Sequence, residues 1–85
     1  MNAKQIKTLI AIFEEPVRSN INWGDIERLF EALGGEVSGG KGSRRRVFLN
    51  GRKAVFDGPH PESDTDKWAV KSLRRFLLEA GVDKP

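Results

Sequence analysis

The chain has no cysteine, no tyrosine, a single methionine and a single histidine among its 85 residues. Without cysteine there is no disulfide, no thiolate chemistry and no cysteine–histidine zinc site. One imidazole cannot make a histidine-based metal cluster, and no nucleophilic triad can be assembled around a second one. We therefore expect neither a metal nor another cofactor. Long apolar runs are missing as well: the longest, Leu9–Phe13, is far short of the roughly 20 residues of a membrane span. The amino-terminal stretch also lacks the longer apolar segment and small-residue cleavage site of a secretory signal. The expectation is a cytoplasmic protein with no membrane association. The length leaves no room for separate cofactor and substrate lobes, and 38% hydrophobic with 32% charged residues is the balance of a globular chain rather than a disordered one. One domain over residues 1–85 is expected.

What is present is an uneven charge. Net charge is only +3, yet residues 1–40 carry four Lys/Arg against six Asp/Glu, whereas residues 41–85 carry eleven against six. Six cations fall within residues 41–53 with no acid among them: Lys41, Arg44, Arg45, Arg46, Arg52 and Lys53. A positive field concentrated in this way attracts polyanions, RNA or DNA first among them. A solvated basic strand is the plain alternative.

The periodicity of apolar residues divides the chain. Ile6, Leu9, Ile10 and Phe13 recur at helical spacing over residues 4–14 and predict a helix with these four facing inward, ended by Pro16. Asn22 can cap a second helix whose stripe is Trp23, Ile26, Leu29, Phe30 and Leu33, stopped by Gly34-Gly35. Glu36–Ser38 is a short strand candidate. Arg44–Leu49 and Arg52–Phe56 flank Asn50-Gly51, the strongest short-range hairpin signal. Alternation puts Arg45, Val47 and Leu49 on one face and Arg44, Arg46 and Phe48 on the other, but both faces mix apolar and basic residues, so the pattern leaves the buried face open. Phe48 can stack a base, although packing in the core is the simpler expectation. A final helix is capped by Thr65 or Asp64, with Asp66 in its first turn. Its inward stripe is read as Trp68, Ala69, Leu73, Phe76, Leu77 and Ala80, with Lys67, Lys71, Arg74 and Arg75 outward. The order α-α-β-β-β-α describes an α+β fold with helices packed on one face of a three-stranded antiparallel sheet.

From Trp23 to Val82 the chain resembles the HicA family of bacterial toxins. The resemblance lies in the order and spacing of WGDIERLFEALGGEV, the Lys41-Gly42-Ser43 turn feeding a basic strand, the Asn50-Gly51 hairpin, Pro59-His60-Pro61 and the closing AVKSLRRFLLEAGV. Residues 22–83 are then the family-like core, and helix 4–14 resembles the extra leading helix of longer members. The resemblance implies a fold like the double-stranded RNA-binding domain, metal-independent endonucleolytic cleavage of mRNA, and neutralisation by a HicB-like antitoxin. It also implies a catalytic histidine directly after the glycine–serine turn, where this chain has Arg44.

The departure matters chemically. Cleavage without a metal needs a group that takes the 2′-OH proton, which imidazole does well near neutrality. Arginine stays protonated, so Arg44 can hold a phosphate and stabilise developing charge but cannot be the base. His60 is the remaining imidazole, stiffened between two prolines, with Asp57, Glu62 and Asp64 near it in sequence. Its two readings are a structural histidine and a substitute acid or base. Candidate catalytic residues are thus His60 and Arg44. Candidate RNA contacts are Lys41, Arg44, Arg45, Arg46, Arg52 and Lys53 on the hairpin with Lys71, Arg74 and Arg75 on the last helix. Gly39-Gly40-Lys41-Gly42-Ser43 has the look of a phosphate loop, but a strand follows it rather than a helix. A module that binds RNA, DNA or an antitoxin without cutting is the competing reading, with Lys71, Arg74 and Arg75 meeting DNA phosphates.

Overall fold

Asn50 and Gly51 take φ values of 49° and 79°, the left-handed pair required by a tight two-residue hairpin. Around that turn a computed structural model of the chain, describing residues 1–39, 44–57 and 64–84, arranges six elements. They are α1 (Ala3–Phe13), α2 (Trp23–Ala32), β1 (Glu36–Gly39), β2 (Arg44–Leu49), β3 (Arg52–Asp57) and α3 (Lys67–Glu79). The expected α+β order holds. The sheet is antiparallel with β2 central, and its register pairs Val37 with Val47 and Val47 with Ala54. Lys41 and His60 lie outside the described residues.

The sheet resolves the question that alternation left open. Val47, Leu49 and Phe56 are buried and Ala54 is half-buried, so the face containing Arg45 is the inner one. Phe56 is its anchor. Its ring lies 6.4 Å from Trp23, 6.3 Å from Phe30 and 5.8 Å from Phe76. It thereby holds α2 and α3 to the sheet through aromatic contacts worth about 0.5–1.5 kcal/mol each beyond area burial. Gly35 completes the approach of α2. A Cβ there would stand 3.0 Å from the Phe48 carbonyl oxygen and 3.1 Å from that of Phe30, so a side chain would force α2 off β2.

α1 packs against α2 and α3. Asn2 and Gln5 form a reciprocal capping box at its start. Its buried stripe is Thr8, Leu9, Ala11 and Ile12; of the four residues expected inside, Leu9 is buried and Phe13 is half-buried against the core, whereas Ile6 and Ile10 are exposed. Burying Ile12 completely, with Leu9 and Ala11, turns the helix away from the face Ile6 and Ile10 share. Thr8 enters this stripe at little cost because its hydroxyl donates to the Lys4 carbonyl at 3.0 Å. The other end is held by Arg74 of α3, whose Nε donates to the Ile12 carbonyl at 3.0 Å and Nη2 to that of Glu14 at 2.8 Å. A cation on carbonyls at a helix C-terminus satisfies acceptors that the helix leaves open.

The α3 cap is also a correction. Asp66 caps the helix by accepting from the Ala69 amide at 2.8 Å, because Thr65 is used elsewhere. Its backbone exchanges bonds with Asn20 and Ile21, and its hydroxyl accepts from the Ile21 amide at 3.1 Å. No described helix is long and apolar enough to cross a membrane.

Candidate nucleic-acid interface

With one face of the sheet against α2 and α3, the other is open. Strict alternation delivers to it Glu36 and Ser38 from β1, Arg44, Arg46 and Phe48 from β2, and Lys53, Val55 and Asp57 from β3. The antiparallel register places Arg44 opposite Asp57, Arg46 opposite Val55 and Phe48 opposite Lys53. Arg44 Nε stands 3.8 Å from the Asp57 carboxylate, with both side chains mostly in solvent, where such a pair contributes at most about 1 kcal/mol.

The hairpin cations thus separate. Arg44, Arg46 and Lys53 share the open face. Arg45 turns to the helix side, 3.8 Å from Glu27 of α2 and about three-quarters covered. Arg52 is exposed at the turn, on the inner-face alternation. The helix cations separate too. Lys71 is exposed and its Nζ lies 5.0 Å from the centre of the Trp68 ring. Arg75 is exposed and pairs with Glu79 at 3.3 Å. Arg74 departs from the outward position expected for it: its side chain is 19% exposed and its donors are taken by α1 and Glu15.

Two aromatic residues also depart from their expected places in the core. Phe48 is 43% exposed and Trp68 is 77% exposed. Phe48 follows from the choice of sheet face. Trp68 follows from the helix period: it is five positions, or about 140° of rotation, from the fully buried Leu73. Val70 takes the inward place instead. A wheel centred on Leu73 and Leu77 contains that signal, whereas counting apolar residues hides it.

The resulting surface carries exposed guanidinium and ammonium groups and two exposed aromatic rings, a chemistry that can meet phosphates and bases. Among the described residues no group of three His, Cys, Asp or Glu side chains could hold a metal ion. Asp57 is the carboxylate beside Arg44, and arginine itself offers no site for a proton.

No curated protein and no solved structure matches the chain. The family model described as the HicA toxin of bacterial toxin–antitoxin matches residues 23–82, which run from the first residue of α2 to just beyond α3. That span covers most of the chain and leaves α1 outside, and on it the chain belongs to the HicA toxin family.

Proposed function

We propose that this chain is the toxin of a toxin–antitoxin pair, that its target is RNA, and that it binds RNA more effectively than it cuts it. Family membership implies an antitoxin partner; a HicB-like protein with an acidic surface over the hairpin fits the charge, since complementary fields speed encounter. The observation that carries the RNA reading is the convergence of Arg44, Arg46 and Lys53 on the open sheet face, with Lys71 exposed on α3.

Cleavage is the weaker half of the activity. At the position where the family resemblance places a histidine, Arg44 can anchor the scissile phosphate and stabilise its charge, but transfers no proton. Proton transfer then falls to His60. A duplex-DNA reader built on α3 is disfavoured because Arg74, one of its three cations, is committed to the α1 terminus. Competition among single-stranded RNA, duplex RNA and duplex DNA for the full chain tests the proposal. RNA should displace a labelled RNA at lower concentration than DNA does; a clear preference for duplex DNA would overturn it.

A further inference from the structure

Resting on the RNA reading above, we propose that Phe48, Val55 and Trp68 form a stacking path for an unpaired RNA strand, so that the preferred ligand is single-stranded. The three residues are connected. Phe48 and Val55 line one shallow groove on the open sheet face with Arg46 and Lys53. Val55 also lines the next groove, where β3 meets the start of α3, together with Trp68. Val55 is 58% exposed, between the more covered Phe48 and the more exposed Trp68. An apolar line thus runs from the central strand across the sheet edge to the helix.

Cations accompany it throughout. Arg46 sits opposite Val55, Lys53 sits opposite Phe48, and the Lys71 ammonium lies over the Trp68 ring. Of the acids beside the path, Asp57 stands 3.8 Å from Arg44 and the Asp66 carboxylate accepts the capping bond from Ala69. Glu36, directly opposite Phe48 on β1, lines the same groove, where Arg46 and Lys53 outnumber it. Alternating ring faces and cations are what an unpaired strand uses, since every base has a face to stack and every linkage a phosphate. A-form duplex has no use for the rings. Its bases are stacked inside, and it presents phosphates and 2′-hydroxyls. Large exposed rings beside cations therefore point to unpaired bases.

The test is binding of a fluorescein-labelled single-stranded oligoribonucleotide, and of a duplex of the same length, to the full chain across a salt series. The variants are Trp68→Ala, Phe48→Ala and Trp68→Phe. Each alanine variant should weaken single-strand binding about 5- to 150-fold, the range of one lost base stack. The dependence on salt should not change, because no phosphate contact is removed. Duplex binding should change less than about twofold, and Trp68→Phe should recover most of the loss. Single-strand affinity unaltered in both alanine variants, while the wild type binds RNA, would overturn the stacking path and leave the RNA reading standing. Equal losses for duplex and single strand would overturn it as well. If Trp68→Ala binds RNA normally but no longer co-elutes with the antitoxin, the path is a protein-docking surface and the inference is wrong. A wild type that binds neither RNA would remove the inference together with the function on which it rests.

Discussion

Arg44 faces Asp57 directly across the β2–β3 pair, with Nε and carboxylate oxygen 3.8 Å apart. An imidazole at position 44 would have this carboxylate as its neighbour, and a carboxylate orients such a ring and stabilises its protonated form. Arg44→His should therefore raise metal-free cleavage of a labelled transcript well above the wild-type rate. If His60 provides the residual proton transfer, His60→Ala should remove what cleavage the wild type has, while RNA affinity and thermal stability stay within about twofold and a few degrees. Strong cutting by wild type and His60→Ala alike would mean that the chemistry lies elsewhere.

Arg74 ties the added helix to the core. Arg74→Ala leaves the Ile12 and Glu14 carbonyls without their charged donor and should cost about 2 kcal/mol in urea unfolding. Arg74→Lys should recover less than half, since an ammonium cannot reproduce the guanidinium fork. A fully stable Arg74→Ala would show that the clamp contributes nothing.

Two phenylalanines on adjacent strands should behave in opposite ways. Phe56 is buried at the centre of the aromatic cluster, and Phe56→Ala should destabilise the fold by about 3–5 kcal/mol. Phe48→Ala, on the open face, should change stability by less than about 1 kcal/mol. Comparable losses at both positions would contradict the assignment of sheet faces.

A fourth expectation concerns the partner. Co-expression with the product of the adjacent gene, followed by gel filtration, should give one complex, and that complex should release labelled RNA. Separate elution of the two proteins would count against an antitoxin that covers the hairpin.

Much of the fold was legible because local signals agreed with tertiary demands. The Asn50-Gly51 turn, the Asn22 cap and the α2 stripe each had one physical reading, and the structure realises all three. Period alone failed where several apolar residues competed for one helix face. In α1, Ala11 and Thr8 displaced Ile6 and Ile10; in α3, Val70 displaced Trp68. Thr65 could not be recognised as a loop partner of Ile21, 44 positions away, and so it read as a cap. The site was only half legible. The cationic cluster was visible, but its division into Arg44, Arg46 and Lys53 outside and Arg45 inside required knowing which sheet face meets the helices.

The central claim is that RNA is held by the open sheet face and the exposed flank of α3, and the most direct measurement is a salt titration of RNA binding by wild type and by the combined variant Arg44→Glu, Arg46→Glu, Lys71→Glu. These three side chains are exposed and none belongs to the core, so the variant should fold, at a cost of about 1 kcal/mol or less for setting a carboxylate at position 44 opposite Asp57. The account predicts a large loss of affinity at low salt and a shallower dependence of log K on log salt, by about 0.7 for each phosphate contact removed from a single strand. Equal affinity and equal slope for the two proteins would contradict it.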